Sequence, residues 1–299
     1  MGESAHDGAM GDVARREPAV AGRFYPGTKA EVDVALARLF ADARPPELAD
    51  GGSRRALGVM VPHAGWTYSG QLAARTLAAV DVPARVVALC PNHTGRGARV
   101  AVSMAPSWLT PIGDVAVDRG LGAVLLDELA ADPVRGAAAD ESAHAREHAI
   151  EVLVPLLRAR RSDLHLVPVV LAALTPGECR KLAAALTRAW ARLGLIAGTD
   201  VMIMASTDMN HFENEVETRR RDRLALEALA TGDPDRLLDT VDGHDISMCG
   251  ARPVATLMAC AQQLGAGRPQ LIGYTTSAAV TGDTNRVVGY AGAVVPAPS

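Results

Sequence analysis

Cysteine is scarce in this chain of 299 residues, and aromatic residues make up only 3% of it. The four cysteines lie far apart without a C-x-x-C pair, which excludes a disulfide scaffold, a zinc ribbon and a cysteine-ligated iron–sulfur cluster built from this chain alone. With so few aromatic rings, a stacking platform for bases or sugars is not expected. The formal net charge of −4 argues against nucleic acid or an anionic membrane as the main partner.

Long apolar runs are also missing. No stretch approaches the roughly 18 residues that a membrane-spanning helix needs. The N-terminal segment MGESAHDGAMGDVARRE lacks the apolar core of a secretory signal. The sequence therefore predicts no membrane span and no secretion, and the cytoplasm is the expected location.

Apolar residues make up 48% of the chain and charged residues 21%, which is typical of a globular protein. Residues 1–16 are small and polar and are predicted to form a disordered tail. Residues 17–299 are predicted to form one domain, because no break in composition divides them. Residues 47–54 are predicted to be a linker or a surface loop.

Apolar runs alternate with amphipathic segments along most of the chain. This order is typical of a single α/β domain whose central, mainly parallel mixed sheet is flanked by helices. Strands are predicted at 57–61, 85–90, 100–104, 115–117, 164–171, 201–205, 271–275 and 287–295. Helices are predicted at 29–43, 70–80, 121–129, 145–154, 176–193, 217–230 and 251–264.

Histidines follow three of these strands within a few residues. His63 and His93 follow the first two strands, and Asp208 and His211 follow the strand at 201–205. The carboxyl ends of parallel strands are where open α/β sheets bind ligands. If these strands are neighbours, all three imidazoles converge on one crevice.

Cys249 precedes the helix predicted at 251–264, where the positive end of the helix dipole stabilises a thiolate. Together with His63 and His93 it would form a His2Cys site suited to iron, copper or zinc. His211, oriented by Asp208, is the candidate for proton transfer.

A competing motif occurs at 144–148, which read His-Ala-Arg-Glu-His, the H-x-x-E-H pattern of some zinc peptidases. On the predicted helix, His144 and His148 would share a face as zinc ligands, with Glu147 beside them. Alternatively, Glu147 and Glu151 pair with arginines along an ordinary amphipathic helix.

Several segments taken together resemble the Memo family, whose prokaryotic members are often called AmmeMemoRadiSam system protein B. The resemblance runs in order from about residue 18 to 296. It is carried by VAGRFYP, VPHAGWTYSG, CPNHTG, EHAIEVLVPLL, STDMNHF, MCGARP and YTTSAAVTGD…VVGYAGAVV. It implies the fold of the class III (LigB-like) extradiol dioxygenases, which are non-haem iron enzymes.

The resemblance also implies roles for particular residues. The metal ligands of the family map onto His63, His93 and Cys249, with a cysteine where the dioxygenases have a carboxylate. Their catalytic histidine maps onto His211, preceded by Asp208. A thiolate changes charge donation to iron and is itself oxidisable, so ring cleavage does not follow from the fold.

The resemblance to the Memo family bears on two further positions. The segment with His148 and Glu151 is a family feature, which weakens the peptidase alternative, and Asn210 stands where the family often has cysteine. The family name implies functional association with an AMMECR-type protein and a radical-SAM protein.

The leading hypothesis is a metal-dependent redox enzyme related to the dioxygenases, with Fe(II) as the first choice of metal and copper or zinc as alternatives. Its ligand would be a small molecule or a peptide, in a pocket that Trp66, Tyr68, His148 and Glu151 could line. The alternative is a non-catalytic module that binds a peptide or phosphorylated ligand in the same cleft.

Overall fold

The computed structural model of the chain describes residues 14–43 and 54–298. Most of the predicted tail, residues 1–13, and most of the predicted linker, residues 47–53, lie outside the described residues. Residues 14–16 of the tail are described, and Arg16 is buried.

A sheet of eleven strands forms the centre of the fold. The strands are β1 Ala56–Val61, β2 Arg85–Pro91, β3 Val100–Val102, β4 Ser107–Trp108, β5 Val115–Val117, β6 Ala137–Ala139, β7 His165–Leu171, β8 Val201–Ser206, β9 His211–Glu213, β10 Gln270–Thr276 and β11 Val287–Pro296.

Nine α-helices accompany the sheet in the described part of the chain. They are α1 Lys29–Ala41, α2 Gln71–Ala78, α3 Arg119–Ala131, α4 Val154–Arg160, α5 Pro176–Arg192, α6 Glu215–Ala230, α7 Pro234–Gly243, α8 Ala251–Leu264 and α9 Ala278–Thr281. A π-helical turn, Trp66–Gly70, precedes α2, and a 3-10 turn, Glu151–Leu153, precedes α4.

The main path of the sheet runs β10-β11-β1-β8-β2-β7-β3-β6. Its centre is parallel, since β1 pairs with β8, β8 with β2, and β2 with β7 in the same direction. The flanks are mixed, because β11 is antiparallel to both β1 and β10, and β3 is antiparallel to β7. The predicted α/β domain with a mixed central sheet flanked by helices is thus confirmed.

The two faces of the sheet carry separate apolar cores. One includes residues from α3, α5, α7 and α8, and the other includes residues from α1, α2 and α4. All six residues of β1 are buried, as expected for a central strand covered on both sides. Burial from both faces fixes the register of these strands and therefore where their carboxyl ends lie.

Local sequence signals set the helix ends. Thr28 and Glu31 form a capping box at the start of α1, and Thr175 and Glu178 form another at the start of α5. In a capping box each side chain satisfies a backbone N–H that has no partner within the helix. Both of these helices had been predicted, and both are present.

The helix predicted at 145–154 is wrong. This stretch consists of turns up to Glu151, and α4 begins only at Val154. The side chain of Glu147 accepts hydrogen bonds from the backbone N–H groups of His148 and Ala149. Such local bonds offer the backbone an alternative to a helix. The predictions from the sequence include neither helices α7 and α9 nor strands β4, β6 and β9.

No helix among residues 14–43 and 54–298 is long and apolar enough to cross a membrane.

Helix α8 begins unusually close to the end of β8. A Cβ atom built on Gly250 would lie 2.2 Å from the carbonyl oxygen of Ser206 and 2.4 Å from Cβ of Thr207. We therefore expect Gly250→Ala to lower the free energy of unfolding by about 3 kcal/mol, because backbone atoms cannot move aside cheaply. Urea denaturation measures this change.

The matched control is Gly243→Ala, at the end of α7, where an added Cβ meets nothing within 4 Å. That variant should unfold within about 0.5 kcal/mol of the wild type or be slightly more stable. Equal stability of the Gly250→Ala variant and the wild type would contradict the close approach.

Candidate metal centre

The topology brings the predicted site residues to one edge of the sheet. Strands β1, β8 and β2 are adjacent and parallel, so their carboxyl ends lie side by side. His63 follows β1, His93 follows β2, and Asp208 and His211 follow β8. The ring centres of His63 and His93 are 5.2 Å apart.

The hydrogen bonds of His63 determine which of its nitrogens faces the site. Its Nδ1 lies 2.7 Å from Oγ of Ser206, and that hydroxyl donates its one proton to the carbonyl oxygen of Ala149. The hydroxyl must therefore accept from Nδ1–H, which leaves the Nε2 lone pair free. Burial lowers the pKa of His63 well below its ordinary value and keeps the ring neutral.

Glu147 holds His93 in the same way. One carboxylate oxygen lies 2.9 Å from Nδ1 of His93, and the other accepts the backbone N–H of His93 at 2.7 Å. Burial alone would lower the pKa of His93, but its hydrogen bonds to Cys249 and Glu147 raise it overall to about 10. The ring is therefore protonated on both nitrogens near neutral pH, and a metal ion bound by His93 would have to replace its Nε2 proton.

Cys249, the third residue of the predicted trio, lies beside His63. Its Sγ lies 3.4 Å from Nε2 of His63 and accepts the backbone N–H of Asp208 at 3.3 Å. It stands just before α8 and is partly exposed, whereas the other three free cysteines are buried. The sulfur thus contacts His63, whose ring centre lies 5.2 Å from that of His93.

His148 joins this group more closely than a pocket-lining residue would. Ligand atoms of His63, His93 and His148 all lie within 4.8 Å of one another. The ring of His148 stacks on that of His93 with centres 4.8 Å apart, and Phe24 packs against it edge-on at 4.9 Å.

His211 lies beside the cluster, but Asp208 does not orient it, and this part of the interpretation is wrong. Nδ1 of His211 lies 2.7 Å from the carbonyl oxygen of Ser247, which accepts its proton. Asp208 instead accepts the backbone N–H of His63 at 2.8 Å, because it points back toward the loop after β1. Burial lowers the pKa of His211 and raises that of Asp208 to about 7.

The three remaining pocket candidates have different surroundings. Trp66 is buried and donates from its indole to the carbonyl oxygen of Val152. Tyr68 is 43% exposed and, with Arg286 and Tyr290, lines a cavity of about 300 Å³. Val288 also lines this cavity and pairs with His211 between β11 and β9, which places the cavity beside the site.

Glu151 is buried and anchors the N-terminal segment, so it does not line a pocket. Its carboxylate accepts hydrogen bonds from Arg16, from the backbone N–H groups of Ala19 and Val20, and from the hydroxyl of Tyr25. The alternative that Glu151 pairs with an arginine along its own helix is wrong, because its partner Arg16 lies 135 residues earlier in the chain.

The two histidines of the H-x-x-E-H pattern do not share a face. His144 is buried, with Nε2 3.0 Å from the carbonyl oxygen of Ala101 and its ring edge-on to Trp108. Among the described residues, the group able to hold a metal consists of His63, His93 and His148, without His144 and without the predicted ligand Cys249. The zinc-peptidase alternative lacks its required geometry because the intervening turn separates the pair.

Sequence reasoning missed the residues that position the imidazoles, namely Glu147 in this role, Ser206 and Ser247. The sequence does contain a signal for Ser206, because this polar residue directly ends the apolar strand β8. Glu147 had one as well, since the predicted helix placed it beside His148. Ser247 accepts Nδ1–H of His211 with its backbone carbonyl and the backbone N–H of His211 with its hydroxyl, and no sequence pattern marks either bond.

The donor set fits a transition metal by its chemistry. His63 presents a free Nε2, Cys249 presents a sulfur that a backbone N–H stabilises, and His93 is backed by a carboxylate. A carboxylate or hydroxyl behind each ligating imidazole is the usual outer arrangement of protein metal sites. Mixed nitrogen and sulfur ligands suit iron, copper or zinc better than magnesium or calcium.

The chain is similar to known proteins along most of its length. The sequence model of the family described as Memo-like protein matches residues 16–294. A MEMO1 family protein of Thermotoga petrophila is 37% identical over 289 residues, covering 94% of this chain and 99% of the relative. MEMO1 family proteins of Ignicoccus hospitalis and Methanobrevibacter smithii are 36% and 34% identical, covering 95% and 93% of this chain and 99% of each relative.

The buried pair of Arg16 and Glu151 generates a stability prediction. Arg16→Met leaves the Glu151 carboxylate buried without its cation and should lower the free energy of unfolding by about 3–5 kcal/mol. Arg15→Met is the neighbouring control, because Arg15 forms only an exposed pair with Asp114 and should cost no more than about 1 kcal/mol. Urea titrations of both variants measure the difference, and similar losses would contradict the anchoring role.

A second prediction concerns Asp222 of α6, which is buried and accepts hydrogen bonds from the backbone N–H of Asn210 and the hydroxyl of Tyr274. Burial raises the pKa of Asp222 to about 6, and the nearby charges of Arg219 and Glu213 act in opposite directions on it. The folded state thus prefers the protonated acid. This contribution of Asp222 to the free energy of unfolding is fully present below the ordinary pKa of an aspartic acid and is lost as the pH rises through about 6.

The free energy of unfolding of the wild type should therefore fall by about 2–3 kcal/mol relative to Asp222→Asn between about pH 4 and pH 7. Urea titrations across this range measure the difference. Asp239→Asn, which changes an exposed carboxyl, should follow the wild type in parallel. A constant difference between the wild type and Asp222→Asn would contradict the prediction.

Proposed function

The chain belongs to the Memo family, and on that premise we propose that it is a metal-dependent redox enzyme related to the extradiol dioxygenases. The ion would be held by His63, His93 and Cys249. The observation that carries this proposal is the 3.4 Å approach of the Cys249 sulfur to the unprotonated Nε2 of His63, with His93 beside both.

The residues around the ion have separate tasks. Ser206 and Glu147 fix the tautomers of His63 and His93, so that their outer nitrogens stay available. Bound iron or copper would supply one-electron chemistry, with Fe(II) as the first choice and zinc suited only to non-redox chemistry. Cys249 must stay reduced for this role, which suits a reducing compartment such as the cytoplasm.

His211 is the proposed base. Its Nδ1 donates to the Ser247 carbonyl, so Nε2 carries the lone pair that can accept a proton from a ligand. Burial lowers its pKa, which keeps the imidazole neutral and able to accept a proton near neutral pH. Asp208 acts separately, since it holds the loop that carries His63.

The cavity beside the site offers a place for the substrate to bind. Arg286 and the phenols of Tyr68 and Tyr290 line it, and Phe212, next to His211, is 61% exposed with Arg286 over its ring at 4.7 Å. A small molecule or a peptide side chain could enter here. Association with AMMECR-type and radical-SAM proteins stays a prediction from the family resemblance.

The same cavity favours a second candidate function, a non-catalytic module for a peptide or phosphorylated ligand. Arg286 gives it a cation, and the tyrosines give it hydrogen-bond donors, so an anionic group is the chemistry that it suits. In that case binding would survive removal of the metal.

Anaerobic purification followed by elemental analysis and oxygen-uptake assays with catechols and thiols tests the proposal. The wild type should hold about one ion per chain. His211→Gln should keep the ion but lose turnover by about 100-fold or more. The double variant His63→Gln/Cys249→Ser should lose the ion.

His165→Gln is the control, because His165 is exposed at the start of β7 and should change neither quantity. Full metal retention by the double variant would contradict the assignment of the ligands. Ligand binding without oxygen uptake, unchanged after metal stripping, would favour the binding module.

A further inference from the structure

Asn210, a buried residue in the loop between β8 and β9, is connected to His211 through a residue of a different loop. We propose that Asn210 is a positioning residue, which keeps the ring proton of His211 on Nδ1 by holding Ser247 in place. The inference rests on the proposed function, because it concerns the proposed base. It adds to that function the residue on which the free Nε2 of His211 depends.

Ser247 contacts His211 at two points. Its carbonyl oxygen lies 2.7 Å from Nδ1 of the ring, and its hydroxyl accepts the backbone N–H of His211 at 2.7 Å. A carbonyl oxygen can only accept a hydrogen bond, so in the neutral ring Nδ1 carries the proton and Nε2 keeps its lone pair. The ring can therefore act as a base at Nε2 only while Ser247 stays in this position.

Ser247 is exposed, in the segment between α7 and α8, and the side chain of Asn210 anchors it. Oδ1 of Asn210 accepts both the backbone N–H and the hydroxyl of Ser247, each at 3.1 Å. Because the hydroxyl proton points to Asn210, an oxygen lone pair is left for the backbone N–H of His211. Four hydrogen bonds thus join Ser247 to two consecutive residues of the other loop.

Asn210 is itself fixed on every side. Only 1% of its surface is exposed, and its Nδ2 donates to the carboxylate of Glu213 at 2.7 Å. Its backbone N–H donates to Asp222 at 2.8 Å, and its carbonyl oxygen accepts the backbone N–H of Gly289 at 2.9 Å. A reversed amide would set its NH2 group against two donors and its oxygen against a carboxylate. The orientation of the amide is therefore determined by its partners.

The position needs an acceptor oxygen, and this distinguishes the chain from the family pattern. Asn210 stands where the Memo family often has cysteine. Sulfur is a weak hydrogen-bond acceptor, so a cysteine side chain would not hold the two donors of Ser247 as the amide oxygen does. The connection from Asn210 to His211 is thus specific to the asparagine in this sequence.

The sulfur of Cys249 is held by other bonds, although it lies only two residues beyond Ser247. It accepts the backbone N–H of Asp208. The next residue, Gly250, donates its backbone N–H to the hydroxyl of Thr207 at 2.9 Å. We therefore expect substitutions of Asn210 to change His211 while the metal content of the protein stays the same.

Nitrogen NMR of metal-free protein with labelled histidine tests the proposal, because protonated and unprotonated ring nitrogens have well-separated resonances. Spectra are recorded at about pH 8, above the ordinary pKa of histidine. The signals that disappear in His211→Gln identify the residue. The wild type should carry the ring proton on Nδ1, whereas Asn210→Ala should carry it mainly on Nε2, which free imidazole side chains prefer in water. Asn210→Cys should behave as Asn210→Ala does and replaces it if that variant does not fold.

A paired substitution tests the chemistry of the bond to Glu213. Asn210→Asp keeps an acceptor for Ser247 but sets a second carboxylate against that of Glu213. In Asn210→Asp/Glu213→Gln an amide again faces a carboxylate, with the two groups exchanged, so the ring proton should return to Nδ1. Glu213→Gln alone is the matched control, because its side-chain oxygen can still accept from Asn210 and should leave the tautomer of His211 unchanged.

A further control separates positioning from general stability. Leu186→Ala removes part of a fully buried side chain of α5. This variant should unfold at a lower urea concentration than the wild type and still carry the proton of His211 on Nδ1. In the oxygen-uptake assay, Asn210→Ala should keep its metal and lose turnover by at least about 10-fold, since the base is then protonated at Nε2.

A proton on Nε2 of His211 in the wild type, or on Nδ1 in both Asn210→Ala and Asn210→Cys, would overturn the role of Asn210 and leave the metal function intact. A wild type without metal and without oxygen uptake would overturn the proposed function instead. The NMR spectra need neither metal nor substrate, so they decide the role of Asn210 in either case.

Discussion

One buried carboxylate organises the site. Glu147 accepts the backbone N–H groups of His93, His148 and Ala149, and it faces Nδ1 of both histidines. These hydrogen bonds hold the pKa of Glu147 below its ordinary value, although burial alone would raise it. A charged group that is buried and fully engaged can orient several partners at once. The direction of two imidazoles and the shape of the turn between β6 and α4 depend on it.

The centre of the fold was predictable because its signals are local and repeated. Continuous apolar runs such as β1 and β8 are typical of buried parallel strands. Because these strands are adjacent in the sheet, the residues that follow them, such as His63, lie close to Cys249. Helix α7 could have been found as well, since Asp233 caps it and Pro234 opens it, both of which are ordinary start signals. These elements follow from short-range patterns in the sequence.

What the sequence did not reveal are contacts between distant residues. The apolar spacing at 145–154 suits a helix, and nothing local shows that the Glu147 side chain will take the backbone N–H groups instead. The bond from Ser247 to His211 and that from the His63 backbone to Asp208 likewise join separate loops. Which carboxylate serves which histidine is decided by tertiary packing, so spacing along the chain alone assigned Asp208 to the wrong partner.

The anchoring of Arg16 by Glu151 has a consequence for how the protein is made. Arg16 finds its buried partner only after about 135 more residues have been synthesised, and Cys249 follows roughly a hundred residues later. Contacts so far apart in the chain form late and slowly during folding. The residues of the proposed metal site therefore come together only near the end of translation. A metal held by them would have to enter the nearly complete polypeptide as a maturation step.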